Sequence, residues 1–440
     1  MTIALVLLLL SALSAQAQES DDLLSPPLKV TFREYLEAVE KHSLDLKTQR
    51  QNIINAQADI SIAGVRPDPE LTFGIDSTEL SEPNKPNAST ATTIGLDLTI
   101  ETAGKRGKRK QVAESKLKLA KVNVAAFSQQ LGVDSASAFI EAYRTQEALA
   151  RKRSTLKSFQ ELVRATEIRF KTGDVSKLEL WQTNVEADRF FSEVTTAEAE
   201  AKAAELTLSV FLGKSFNEVF PGAVVHFEVK EESLQFDQFD LATLISKAIK
   251  NRYDIRVAEA EVESSRNSLQ LVRANRWVDP KVNVGLTNTP RVDSIFDREG
   301  NVTNSPAERS LELGLTITLP IPFSRLQKGE LIQAETAVSQ AQLQRSSILL
   351  KAETEVRVTL AKYLASSQNV RRYREHVLKD ADRVIDGMRT AYRMGSASFI
   401  ELLNAQRTAD GVYLDYLQAI ADLANTAVKL QISVGMRPDL

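Results

Sequence analysis

Arg169-Phe170-Lys171-Thr172-Gly173 is answered by Ala391-Tyr392-Arg393-Met394-Gly395, 222 residues further along the chain. The same offset separates Gly107 from Gly329 and Leu212-Gly213 from Val434-Gly435. Asp68-Pro69 and Gly74 recur 211 residues later as Asp279-Pro280 and Gly285, and Gly95 recurs 219 residues later as Gly314. Ten of the 17 glycines therefore fall into five pairs, and the offset changes only where a loop can lengthen. The period is too long for a solenoid. The chain reads as one unit written twice, a first repeat over 18–213 and a second over 241–440, joined by a linker at 214–240 rich in Phe and Glu.

Each repeat orders its elements alike. An amphipathic helix is predicted first, over about 31–64 and 241–276. Asp-Pro then stops it, because proline disfavours helix in the residue before it. Four strands are predicted in all, over 70–78, 92–101, 280–288 and 310–319. In the first, Leu71, Phe73 and Ile75 alternate with Thr72, Gly74 and Asp76; Leu311, Leu313, Leu315 and Ile317 keep the same alternation in the last. Period two gives each strand one apolar and one polar face. The stretches Ser81–Ala91 and Thr289–Arg309, rich in Pro, Asn, Ser and Asp, read as solvated loops.

Long helices follow. Gly107 to Lys171 holds no proline and one interior glycine, Gly132, which at ~1.5 Å per residue gives a rod of roughly 95 Å. Gly329 to Arg393 is similar, and there Val370, Tyr373, Val377, Ala381, Val384, Met388 and Ala391 keep the coiled-coil period. Leu149, Leu156, Phe159, Val163 and Phe170 keep a looser version in the first repeat. Gly173 and Gly395 break the rods, and helices over about 175–212 and 397–434 run back as antiparallel hairpins.

Composition excludes several classes of function. The 440 residues carry 55 basic and 58 acidic side chains, a net charge of −3, which argues against nucleic acid as a partner. There is no cysteine, hence no thiolate metal site, disulfide framework or cysteine nucleophile. His42, His226 and His376 are scattered without a second ligand at metal spacing, and no G-x-S-x-G or G-x-G-x-x-G stands between a strand and a helix. No enzyme, metal site or cofactor is expected. Ala4–Leu10 is an apolar run ending in Ala15-Gln16-Ala17, which reads as a secretory signal peptide over 1–17, although no Lys or Arg precedes its core. No later stretch approaches the ~20 apolar residues of a spanning helix.

Four alternating strands of this length suit a tilted transmembrane β-strand. Four cannot close a barrel, and lipid tolerates no open sheet edge. The strands therefore either join those of further copies in a membrane barrel or cap a helical bundle as a soluble periplasmic sheet; the pattern alone leaves both open.

The duplicated order of helix, two strands, long helix, turn and helix resembles the outer-membrane factor (TolC) family of efflux and secretion ducts. The likeness is carried by Arg66-Pro67-Asp68-Pro69 before the first strand and by Gly104-Lys105-Arg106 after the second. Leu319-Pro320-Ile321-Pro322-Phe323, running to Gly329, and the two glycine-centred tips carry it further. The resemblance implies a mainly α chain with a small β part, whose long α-helical hairpins form a periplasmic α-barrel. It also implies a homotrimer with a 12-stranded β-barrel in outer-membrane lipid, fed by an inner-membrane pump through a periplasmic adaptor. The Gly-Lys-Arg motif is similar to the heavy-metal cation branch; drugs, and protein in a type I secretion duct, are the other cargoes the family implies. A soluble periplasmic coiled-coil or adaptor protein is the competing class.

By the same resemblance the hairpin tips dock the adaptor. They comprise Arg169, Phe170, Gly173, Asp174, Val175 and Ser176 with Tyr392, Gly395, Ser396, Ala397 and Ser398. Asp174 and Ala391 depart from the family's common tip pattern. Glu179 and Glu401, each six residues past a tip glycine, with Asn404, are expected to ring the periplasmic aperture. The dense basic cluster Lys105, Arg106, Lys108, Arg109 and Lys110 is no P-loop, since no Ser or Thr follows Lys108, and it is expected to face lipid headgroups.

Overall fold

A computed structural model describes residues 28–77, 90–227, 240–291, 294–296, 298–300, 302–304, 308–321 and 327–438. The predicted signal peptide, most of the first strand-to-strand loop, the middle of the linker and Pro322-Phe323 lie outside them. In chain order the elements are β1 (Lys29–Val30), α1 (Phe32–His42), α2 (Leu44–Ala63), β2 (Glu70–Ser77), β3 (Thr90–Thr99), α3 (Lys105–Thr172) and α4 (Lys177–Leu212). Then come α5 (Phe216–Val219), β4 (Val224–Val225), α6 (Leu241–Asn251), α7 (Tyr253–Asn275), β5 (Lys281–Arg291), β6 (Ser294–Phe296), β7 (Val302–Asn304) and β8 (Glu308–Thr318). The last are α8 (Lys328–Arg372), a π-helical turn (Tyr373–Val377), α9 (Leu378–Arg393) and α10 (Phe399–Ser433).

Two compact units emerge, one from Met1–Arg50, Val124–Tyr253 and Leu349–Leu440, the other from Gln51–Asn123 and Asp254–Ile348. In the second, β2, β3, β5 and β8 form one antiparallel sheet in that order. Its register aligns Leu71, Leu96, Val284 and Leu315 in one cross-strand row and Phe73, Ile94, Leu286 and Leu313 in the next. These side chains share a face and remain 41–77% exposed, so the described residues leave that face largely uncovered. On the other face Thr72, Gly95, Gly285 and Gly314 stand in register. A methyl group on Gly95 would lie 2.9 Å from Asn283 Nδ2. That amide donates to Asp97 Oδ1 at 2.9 Å, while Thr72 Oγ1 donates to Asp97 Oδ2 at 2.5 Å.

Four expectations are corrected. The opening amphipathic helix of each repeat is two helices, broken at Ser43 (ψ 126°) and Arg252 (ψ 133°); Ser43 is buried and its hydroxyl accepts from Leu46 N–H, so it caps α2. Strands beyond the four exist: β1 pairs in parallel with β4, and β6 with β7 inside the stretch read as a loop. The coiled-coil seam of the second rod does not continue through Val384, which is 54% exposed while its neighbour Ile385 is 4% exposed.

The fourth concerns the basic cluster, in which Lys105 is buried rather than facing outward and Arg106 and Arg109 bond to protein groups. Lys105, 7% exposed, donates to Asp279 Oδ2 at 2.7 Å and to the Trp277 carbonyl. Arg106 donates to the Gly64 carbonyl, and Arg109 pairs with Glu101 and donates to the Val65 carbonyl. Burial works against the charge on Asp279, but the hydrogen bonds from Lys105 and Thr102 win and hold its carboxyl below the usual range. The cluster thus ties the start of α3 to the segments that lead into β2 and β5.

In the first unit the helical core is layered. One cluster joins Leu244 and Ala248 of α6 to Val356, Tyr363 and Val370 of α8 and to Leu423, Ala427 and Leu430 of α10. A second joins Phe159 of α3 and Phe190 of α4 to Ile385 and Tyr392 of α9 and to Phe399, Leu402 and Leu403 of α10. The second lies next to both hairpin turns and fixes where the site residues stand.

Candidate functional site at the hairpin tips

Both turns close by the same backbone arithmetic. Gly173 N–H donates to Phe170 O and Asp174 N–H to Arg169 O; Gly395 N–H donates to Tyr392 O and Ser396 N–H to Ala391 O. This is the helix-ending motif that needs a left-handed residue, and Gly173 (φ +85°) and Gly395 (φ +75°) supply it without steric cost. The returning helices also start alike. Ser176 and Ser398 are extended N-caps whose hydroxyls accept from Glu179 N–H and Glu401 N–H.

The two glutamates then part company. The Glu401 carboxylate turns back onto its own helix start, accepting from Ser398 N–H at 2.7 Å and Ser398 Oγ at 2.9 Å, a complete capping box. Those bonds, the backbone one first, hold its pKa below the ordinary value. Glu401 and Asn404 are exposed one turn apart. Glu179 instead accepts from the Tyr392 hydroxyl at 2.9 Å, a bond that joins the first hairpin to the second. Tyr392 is 6% exposed, and the Arg169 guanidinium lies 5.4 Å from its ring centre. Burial pushes the Tyr392 phenol up, so it stays a donor through the physiological range.

The predicted tip residues thus form one locality, with Tyr392 touching both Arg169 and Glu179. Phe170, Gly173, Asp174 and Ser176, with Gly395, Ser396 and Ser398, are exposed around it, and Val175 and Ala397 are half-buried. Leu178, Trp181, Met394 and Ile400 add 55–78% exposed apolar side chains beside the turns.

A polar network behind the tips has no counterpart in the sequence reading. Asp410 accepts from Arg151 Nε at 2.8 Å, from Thr155 Oγ1 at 3.0 Å and from Gln406 Nε2 at 3.1 Å; Gln406 in turn accepts from Arg389. Arg407 donates to Glu186 at 2.6 Å. Together these bonds tie α10 to α3, α4 and α9. Gln406 and Asp410 occupy positions of an otherwise apolar helical stripe containing Phe399, Leu402 and Ala409, and that interruption was the signal available. Among the described residues no group of His, Cys, Asp or Glu is arranged to hold a metal ion.

A sequence profile described as "Outer membrane efflux protein" matches residues 35–214 and 244–436, one match on each repeat. Nodulation protein T of Rhizobium leguminosarum bv. trifolii is 22% identical over 410 residues, covering 91% of this chain and 84% of its own length. The cobalt-zinc-cadmium resistance protein CzcC of Cupriavidus metallidurans is 20% identical, covering 92% of this chain and 90% of its own. The fold is that of the outer membrane protein VceC from Vibrio cholerae, with a TM-score of 0.69 at 18% identity, covering 93% of this chain and 97% of that one.

Proposed function

The chain belongs to the outer membrane efflux protein family, and from that premise we propose that three copies assemble into a passive duct. Twelve strands close the barrel in lipid, the long hairpins line the periplasmic passage, and the hairpin tips form its lower mouth. The observation that supports this most is the sheet: the eight apolar side chains of two cross-strand rows on one face, 41–77% exposed, are what acyl chains cover in a transmembrane β-barrel. Each protomer's edge strands, β2 and β8, find partners only in other copies, since lipid tolerates no free edge.

At the mouth, the Tyr392–Glu179 bond latches the second hairpin to the first and holds the duct closed. Glu401, kept ionised by its capping box, places one negative charge per protomer beside Asn404, and a ring of three favours cations. The exposed Trp181, Leu178, Met394 and Ile400 offer a periplasmic adaptor its apolar contact, with the exposed tip turns around them. For cargo we favour divalent metal cations, supported by the full-length likeness to the cobalt-zinc-cadmium resistance protein.

Extraction separates duct from soluble protein. The mature chain is expected to stay with the membrane in high salt, to need detergent for release, and to form ion-conducting pores in planar lipid bilayers. Release by salt alone contradicts the duct. Deleting the gene is expected to sensitise cells to zinc, cobalt and cadmium ahead of antibiotics; the reverse order contradicts the cargo and leaves the duct standing.

A further inference from the structure

The second rod holds one π turn that the first lacks. Gly107 to Gly173 and Gly329 to Gly395 are the same number of residues apart. Yet α3 is unbroken from Lys105 to Thr172, whereas the second rod passes through the π turn at Tyr373–Val377. There Leu378 N–H donates to the Tyr373 carbonyl, five residues back. A π turn absorbs one residue more than an α turn, so all that follows is set back by one position, about 100° around the helix axis and ~1.5 Å along it.

The buried side chains record that step. Ahead of the turn Ala352, Val356, Thr359, Tyr363 and Val370 form the buried seam. Continuing their heptad would bury Val377, Val384 and Ala391. Instead Ile385 and Tyr392 are buried, at 4% and 6%, while Val384 is 54% exposed. The sequence therefore contains two apolar seams one residue apart. Ala381 and Met388 serve both; Ile385 with Tyr392 completes the observed seam, and Val384 with Ala391 completes the other.

We infer that the π turn is a register switch for the tip. With the turn formed, α9 presents Ile385 and Tyr392 to the core, and Tyr392 reaches Glu179. With the turn absorbed into a continuous α-helix, α9 rotates onto the Val384 seam and carries Tyr392 away from Glu179. The observed seam buries the larger side chains, which favours the latched register at rest. The alternative buries apolar groups in its turn, so the two states stay close enough in energy for a partner at the tip to tip the balance. This rests on reading the Tyr392–Glu179 bond as the latch.

The chain has no cysteine, so an Ile385→Cys probe can be read against a silent background. Deleting His376 shortens the π turn to an α turn while leaving Ile385 and Tyr392 in their present seam. Val384→Asp, at an exposed position, instead bars the alternative seam at no cost to the observed one. In each background the reactivity of the introduced thiol towards a thiol reagent, in the assembled protein in detergent micelles, is expected to fall by about tenfold, and channel openings in lipid bilayers to become rarer by a similar factor. Equal thiol reactivity in the Ile385→Cys chain alone, with the deletion and with Val384→Asp overturns the switch. Reactivity that falls while openings persist keeps the register change but severs it from the latch, which is the failure of the gate reading alone.

Discussion

Between Gly107 and Gly173, and again between Gly329 and Gly395, equal lengths of chain build two arms that end in the same glycine turn and the same serine cap. The first arm is one continuous helix; the second is divided by a π turn. The first leaves its cap glutamate, Glu179, free to reach across to Tyr392, while the second folds Glu401 back onto Ser398. Duplication has thus given a stiff arm that offers an acceptor and a divided arm that brings the donor. Equivalent positions need not do equivalent work, and paired substitutions show where they diverge.

The largest divergence is expected at Phe159 and its counterpart Ala381. Phe159 is 3% exposed and stacks on Phe190 with ring centres 4.4 Å apart. Phe159→Ala should lower stability by about 3–4 kcal/mol, and Ala381→Gly by about 1 kcal/mol, read from denaturation midpoints of the assembled protein. Similar losses at both would mean that the arms share the core equally. Next come Asp410 and its counterpart Asp188. Asp410 receives Arg151, Thr155 and Gln406, so Asp410→Ala should cost about 2–3 kcal/mol through the stranded arginine. Asp188 is exposed, and Asp188→Ala should stay within about 0.5 kcal/mol of the parent.

A smaller effect is expected from pH. Glu401 has its pKa lowered by Ser398, so its capping box contributes stability above the ordinary glutamate pKa and loses it as pH falls through the lowered value. Thermal scans of the parent and Glu401→Gln should therefore converge in the acid range and separate at neutral pH. A constant gap across pH would detach the effect from this carboxylate. Apart from stability, Glu401→Ala is expected to change the cation preference of the open pore; unchanged conductance and selectivity would remove Glu401 from the aperture.

Much of this architecture was legible because it rests on periodicity. Alternation in Leu71–Asp76 and Leu311–Ile317 marks the strands within two or three residues of their ends, and the paired glycines mark both turns. The breaks at Ser43 and Arg252 were hidden because neither site holds proline or glycine and the apolar pattern runs through both. The π turn was hidden for a different reason: two seams coexist in one sequence, and the heptad count follows the one that the fold does not use. The fate of Lys105 and Arg109 was illegible for want of partners, since Asp279 lies 174 residues from Lys105 and becomes a neighbour only when the strands pair.

Single-channel conductance of Glu179→Gln, Tyr392→Phe and the double variant tests the latch most directly. If the bond between the arms holds the mouth closed, each single variant raises conductance, and the double variant rises no further than either one, because both remove the same interaction. Conductance unchanged in all three, or increments that simply add, would show that Tyr392 and Glu179 do not act together to close the duct.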